Sequence, residues 1–474
     1  MFSDRASILI GLLWCLALLS VVVIGFLHTA RMDLQVGKNY GDRIQAHYLA
    51  LAGIEKAKAL LYLDAKDRSH NGKSHDGEYY NSTDQFRGIA LGRGQFAVFR
   101  RGREDEGGGV IYGISDEESR LNVNTASADV LGKIDGMTPD VLAAIADWRD
   151  SDNVPSPLGA EAEYYTSLQP PYQPRNGPFQ TVRELLMVRG VTRELLFGHD
   201  THQNGLLEAD DEKGANAFLK EQADSADLGW ARELTVNSSV HNANAAGDSR
   251  VNAQSADENT LRNVRGITPE IARAIVAYRG QNQFQSIADL LDVTQPQNQN
   301  QNQNQGGGTG GQTTYTAAGQ PQAQTQTTGT NQTANAAGQG GGGRKVISPD
   351  LLMDIGDEIT VASASDLGGV ININTASLEV LASLPGVDRP LAQAIINYRS
   401  SSGYFPNPAW LLKVPGISQD LFKQLAPLVT ARSETFRILC EGRINSSGVH
   451  QRIQAIVHVG LDDIKILSWR EDDL

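Results

Sequence analysis

Residues 8–27 read ILIGLLWCLALLSVVVIGFL, 20 residues without a charge between Arg5 and Arg31. At 1.5 Å per residue, a helix of that length spans about 30 Å, the thickness of a bilayer core. The run is longer than the apolar region of a cleaved secretory signal and passes into a helical pattern, so it reads as a membrane anchor with a transmembrane helix over residues 7–30. Beyond it, Ala46, Leu49, Ala50, Gly53, Ile54, Ala57, Leu60 and Leu61 recur at helical spacing, with Arg43, Gln45, Glu55, Lys56 and Lys58 between them. One helix is predicted to leave the membrane and lay an apolar stripe on a globular head, weakened and bent at Gly37, Gly41 and Gly53.

The period then changes. Residues 94–99 and 110–114 alternate or run apolar between glycine-rich turns and read as a hairpin. Near the end of the chain, Phe436, Ile438 and Cys440 share one strand face, with Arg437 and Glu441 on the other. The segment 445–448 makes a turn, Ile453, Ala455, Val457 and Val459 form a facing apolar set, and residues 464–469 give a last strand. Early and late strands together are predicted to complete one antiparallel sheet packed on the amino-terminal helix. Cys440 on its apolar face and Cys15 in the anchor make poor disulfide partners.

Between these strands lies a threefold repeat over residues 121–149, 251–279 and 371–399. Leu131, Leu261 and Leu381 each stand five residues before Gly136, Gly266 and Gly386, and Arg149, Arg279 and Arg399 stand thirteen after them. Each copy reads as a short helix, a turn with Gly in the left-handed conformation, and a second helix. A further half follows each: Phe179 precedes a pattern turning at Gly190, and Phe405 one turning at Gly416. The middle copy breaks off after residue 294 and resumes at Val346. The 49 residues 295–343 hold no charge and almost no apolar bulk, so they cannot offset the entropy of ordering and read as a disordered insertion. A coil of that length spans about 35–40 Å.

Composition narrows the function. Asp and Glu number 55 against 41 Lys and Arg, a formal charge of −14, which argues against a general nucleic-acid binder. Two cysteines exclude a disulfide scaffold. No GxSxG, P-loop or HExxH pattern is present, so an enzyme is not expected. His199 and His202 are a weak i, i+3 pair, read as loop residues. Asp147, Asp150, Asp152, Glu161 and Glu163 lie close in sequence. Carboxylate-rich loops suit Ca²⁺, so Asp150, Asp152, Glu161 and Glu163 are candidate calcium ligands.

The repeats resemble helix-hairpin-helix motifs, many of which meet a phosphate with the backbone N–H groups of a Gly-hydrophobic-Gly turn. Here Thr138, Thr192, Thr268, Asp388 and Ser418 replace the second Gly. All five are N-cap residue types, and a capping side chain takes the donors a phosphate would need. A membrane-anchored DNA-binding receptor is the alternative reading, with no nucleic acid expected.

The polar leader, apolar run and amphipathic continuation resemble a type IV pilin or pseudopilin. That resemblance places cleavage by a prepilin peptidase between Ala6 and Ser7, with Ala6 departing from the family's usual Gly. It also puts Gly11 where most pilins carry a Glu, an absence that fits a subunit at the tip. The blocks of residues 115–190, ISDEESRLNVNTAS, AAIADWRDSDN, GAEAEYY, PPYQPRNGPF and ELLMVRGV, are similar in order and spacing to the minor pseudopilin K family of type II secretion. Residues 205–230 and the second repeat look like additions. The resemblance implies an α+β fold: a pilin-like long helix on an antiparallel sheet, with a large inserted α-helical domain. It divides the chain into a leader (1–6), the anchor (7–30) and pilin-like helix with first strands (31–115). Helix-hairpin-helix regions follow at 116–235, 236–294 with 344–365, and 366–432, and closing strands at 433–474. It implies a tip subunit for protein export across the outer membrane, with minor pseudopilins I and J as partners. It also implies anchoring in the inner membrane, with the body in the periplasm and calcium in the α-domain.

Overall fold

The computed structural model describes residues 3–71, 77–203, 205, 228–295, 344–461 and 463–471. The proposed insertion from residue 296 onward and most of the region 205–230 lie outside them.

One helix runs from Ser3 to Asn71, 69 residues, unbroken across Gly37, Gly41 and Gly53. It is long and apolar enough to cross a membrane, and its most apolar stretch is exposed. Large apolar side chains such as Leu12, Val21 and Phe26 stand free there. From Ala46 onward one face turns inward: Ala46, Leu49, Ala50, Ile54, Ala57, Leu61 and Ala65 are buried against the sheet. Gly53 is part of that face, because the sheet comes too close for a side chain. A Cβ there would meet Phe96 Cδ2 at 2.8 Å and strike the Cys440 sulfur.

The sheet is antiparallel and interleaves the two ends of the chain. Its order is Ile89–Leu91, Gly94–Val98, Thr435–Ile444, His450–Val459, Ile464–Arg470, with Ser115–Asp116 also pairing Thr435–Ile444. Cys440 lies opposite Val98 on one side and Ile453 on the other. The alternation read in the sequence is met: Phe436, Ile438, Cys440, Ile453, Ala455, Val457 and Val459 are buried together. The hairpin of residues 94–99 with 110–114 is not. Gly94–Val98 pairs Ile89–Leu91 and the late strand Thr435–Ile444, while Val110–Ile111 pairs only Arg100–Arg101. The long late strand offers a larger apolar surface than the short 110–114 segment does, and it takes the early strand as partner.

The described residues between Asp116 and Thr435 thus form a largely helical insertion into the sheet, and their buried side chains make one continuous core across the three repeats. Each repeat opens and closes with two residues of parallel strand: Leu121–Asn122 beside Leu234–Thr235, Val251–Asn252 beside Ile359–Thr360, and Ile371–Asn372 beside Val429–Thr430. Each is then stapled by its arginine. One guanidinium nitrogen of Arg149 donates to the carbonyls of Val123 and Ala126, Arg279 does so to Ala253 and Ala256, and Arg399 to Ile373 and Ala376. The two halves of a repeat are clipped by a side-chain amide: Asn124, Gln254 and Asn374 accept from the backbone N–H of Phe179, Phe284 and Phe405. In the middle unit the chain leaves and re-enters through a Thr294–Lys345 bridge, backed by Val346 N–H to the Val293 carbonyl at 3.0 Å.

Three consecutive buried acids bind this insertion to the sheet. Asp116 accepts from Asn372 Nδ2 at 3.0 Å, from Ser433 Oγ at 2.5 Å and from the Thr375 hydroxyl. Glu117 accepts from Thr235 Oγ1 and pairs Arg437 at 2.7 Å. Burial raises its pKa, but Arg437 and Arg120 outweigh that and hold the carboxyl below its usual range. Glu118 accepts from the N–H groups of Ser239 and Thr435, both at 3.1 Å.

Candidate functional site

The repeat chemistry produces two kinds of feature at the surface of the insertion: five hairpin turns and one acidic pocket. At the turns, Gly136, Gly190, Gly266, Gly386 and Gly416 all have positive φ, between 70° and 99°. Four of the following helices are capped as the sequence suggests. Thr192, Thr268, Asp388 and Ser418 accept from the N–H of Leu195, Ile271, Leu391 and Leu421 at 2.9–3.3 Å. Thr138 departs from the pattern. It makes no capping bond, and its hydroxyl donates to the Asp140 carboxylate. Asp140, Glu194, Glu270 and Asp420 also place a carboxylate in the first turn. Side chains and acidic charge therefore occupy the N-terminal donors at these turns.

The acidic pocket lies at the end of the first repeat. The helix Pro139–Arg149 carries Asp147 in its last turn, and Asp150 is its C-cap. Asp147 is buried and accepts from Ser156 Oγ at 2.6 Å, which folds the Pro-rich loop back over the helix end. Glu161, the residue before helix Ala162–Thr166, is 3% exposed, and neither of its carboxylate oxygens has a hydrogen-bond partner. Ligand oxygens of Asp147, Asp150 and Glu161 lie within 4.8 Å of one another. Burial, then the charges of Asp150, Asp147 and Asp152, push the Glu161 carboxyl up to about 7.

Of the four ligands named from the sequence, the fold brings Asp150 and Glu161 together, with Asp147 as the third member. Asp152 is exposed and accepts from the Val154 N–H at 2.8 Å, so it adds field but stands outside the cluster. Glu163 is exposed on the short helix and is also outside it. Orphaned buried oxygens on converging carboxylates are the donor set of a hard divalent cation, and Asp147, Asp150 and Glu161 are the residues that would hold Ca²⁺. Among the described residues, His199 and His202 enter no such cluster.

At the amino terminus, Ala6 and Ser7 fall within the long helix. Gly11 lies on its exposed part, and a Cβ there would meet nothing within 4 Å. The buried Asp116–Glu118 junction and the arginine staples were not read from the sequence, although Arg149, Arg279 and Arg399 each stand 27 residues after Asn122, Asn252 and Asn372, a signal for the staples.

The family model described as type II secretion system protein K matches residues 119–197, and the helix-hairpin-helix motif model matches residues 247–306 and 368–430. Type II secretion system protein K of Klebsiella pneumoniae is 31% identical over 207 residues, covering 40% of this chain and 60% of that protein. ComE operon protein 1 of Bacillus subtilis is 37% identical over 73 residues, 15% of this chain and 36% of that protein. The match thus spans about three fifths of one relative and about a third of the other. Among solved structures, the GspK-GspI-GspJ complex of the enterotoxigenic Escherichia coli type 2 secretion system overlaps with a TM-score of 0.44 at 12% identity, covering 93% of this chain and 100% of that one. Over two fifths of its length the chain is similar to type II secretion system protein K, whose family model falls on residues 119–197.

Proposed function

We propose that the chain is a minor pseudopilin at the tip of the type II secretion pseudopilus, a structural subunit for protein export across the outer membrane. The observation that carries this reading is the coincidence of the protein K domain at residues 119–197 with a 69-residue helix, exposed and apolar first, buried on an antiparallel sheet later. In this reading the subunit is anchored in the inner membrane with its body in the periplasm. It enters the pseudopilus after prepilin peptidase cuts between Ala6 and Ser7, and it assembles with minor pseudopilins I and J. Gly11 supports the tip position, because no carboxylate is presented there for the amino group of a neighbouring subunit. Ca²⁺ on Asp147, Asp150 and Glu161 would order the loop of residues 150–161; the Glu161 oxygens without partners support that assignment.

The test is co-expression of the full chain with minor pseudopilins I and J. A complex that survives gel filtration in detergent, with the mature chain starting at Ser7 by mass, is the expected result. Absence of any complex would overturn the reading, and an unprocessed start would exclude conventional pseudopilus entry. The helix-hairpin-helix match keeps DNA as the alternative ligand. Retention of duplex DNA by the full chain at moderate salt would favour it, whereas the capped, acidic turns predict none.

A further inference from the structure

A second cluster of ligand groups, sharing no residue with the acidic pocket, lies where the insertion meets the sheet. His241 ends the strand Ser239–His241 that leads into the second repeat, Glu434 stands where the chain leaves the third, and His458 belongs to the sheet strand His450–Val459. One ligand atom from each lies within 4.8 Å of the other two. We propose that His241, Glu434 and His458 form a binding site for a zinc-class divalent metal ion, which pins the helical insertion to the sheet.

The spacing fits such an ion before it arrives. His241 Nδ1 is 2.9 Å from Glu434 Oε2, and His458 Nε2 is 3.8 Å from the same oxygen. Ligand atoms on a tetrahedral zinc, at bonds of about 2.0–2.2 Å, stand roughly 3.3 Å apart, between those two values. The imidazoles are nearly parallel, with centroids 5.7 Å apart and planes at 29°. A backbone bond from the His241 N–H at 2.9 Å fixes the Glu434 carboxylate in place.

The remaining nitrogen of each ring already has an oxygen partner, the arrangement by which proteins orient metal-binding histidines. His241 Nε2 faces Asp366 Oδ1 at 3.5 Å, on the strand paired with its own. His458 Nδ1 is 3.3 Å from Thr435 Oγ1, whose own proton goes to the Ser239 carbonyl at 3.4 Å. Thr435 therefore accepts from His458 Nδ1–H, and the Nε2 lone pair is left pointing at a carboxylate. Two acceptors facing each other call for a cation between them. Two imidazoles and one carboxylate select a borderline metal such as Zn²⁺ over Ca²⁺, which takes oxygen donors. His241 is half exposed, which leaves the fourth position to water. Three positive charges lie near the site: Lys465, paired across the sheet with His458, is exposed and 3.7 Å from Asp463, while Arg250 and Arg432, which face Glu434, are both paired with Asp357.

The test uses the untagged full chain in detergent, stripped with chelator and then held in saturating Ca²⁺ so that the acidic pocket is not available. Titration with Zn²⁺ is expected to fill one site, and Co²⁺ in its place is expected to give the visible spectrum of a tetrahedral ion. His241→Ala and Glu434→Gln should each weaken zinc binding more than tenfold, and Asp366→Ala by about 10–100-fold through loss of ring orientation. His450→Ala, at an exposed histidine outside the cluster, should leave it unchanged. Absence of one-site binding in a chain whose circular dichroism is intact would overturn the proposal. So would zinc binding that His241→Ala, a substitution at a half-exposed position, leaves unaffected.

Discussion

Gly53 of the long helix lies directly against Cys440 of the sheet, so closely that one added methyl group on the helix would strike the sulfur. The thiol is fully buried, and burial pushes its pKa up. Gly442 meets the helix in the same way, since a Cβ there would contact Leu49 Cβ at 2.8 Å and strike the Ala46 carbonyl. Helix and sheet are therefore in backbone-to-backbone contact along this line.

Gly53→Ala is expected to lower the thermal midpoint of the full chain in detergent. Overpacking costs about 1–3 kcal/mol, more than the gain of about 1 kcal/mol from helix propensity. Gly37→Ala is expected to act the other way, because that position has open space around it. Differential scanning fluorimetry of the two variants checks the contrast.

The three arginine staples are alike in geometry and unlike in burial. Arg399 is 5% exposed and also pairs Asp105 at 2.9 Å, which ties the third repeat to the loop after the early strands. Arg399→Ala takes the donor from two buried carbonyls and one of two arginines from Asp105, which keeps Arg103 at 3.1 Å, and is expected to cost about 3 kcal/mol. Arg279→Ala removes only the carbonyl bonds and is expected to cost about 1.5–3 kcal/mol. Urea denaturation of both variants would show the order, and equal losses would remove any special role for Asp105.

The caps make a finer distinction. Ser418→Ala is expected to cost about 1 kcal/mol, as for other capping serines. Thr138→Ala should cost less, because Thr138 makes no capping bond. Thermal melts of the two variants under one buffer condition measure the difference.

Glu161 predicts how stability varies with pH. Its carboxyl titrates near 7 in the folded chain and near 4.5 by its ordinary value, so the folded state holds the extra proton between those limits. Stability without calcium is therefore expected to fall as pH rises from about 4.5 to about 7, the direction in which that proton is lost. Glu233 is also raised to about 7, chiefly by burial, and contributes the same slope. Glu161→Gln should flatten its share of the slope and leave that of Glu233. Added Ca²⁺ should stabilise the wild type most above pH 7, where the pocket is fully charged. Chemical denaturation at four pH values, with and without Ca²⁺, tests both statements.

The long helix, the sheet faces and the repeats were legible because each follows a local period. Ala46, Leu49 and Ala50 mark a 3.6-residue stripe, Phe436, Ile438 and Cys440 a two-residue alternation, and Gly136, Gly266 and Gly386 a fixed register. What escaped depends on residues far apart in the chain. Gly94–Val98 found its partner in Thr435–Ile444, and the alternation of a short strand says nothing about which distant edge it will join. Asp116 reaches Asn372 and Ser433, and His241 reaches Glu434 and His458, across separations that no motif spacing encodes. The acidic loop was visible as composition, but which carboxylates converge was settled by Ser156 drawing the loop onto Asp147.

The clasp between Thr294 and Lys345 brings the two cut edges of the middle unit side by side, sealed by Gln295 N–H to the Arg344 carbonyl at 3.0 Å. Both edges of that gate are held to each other by backbone bonds. The gate is therefore a natural splice point, where a reporter or an affinity module could replace the native tract while Leu291 and Leu352 stay seated in the core.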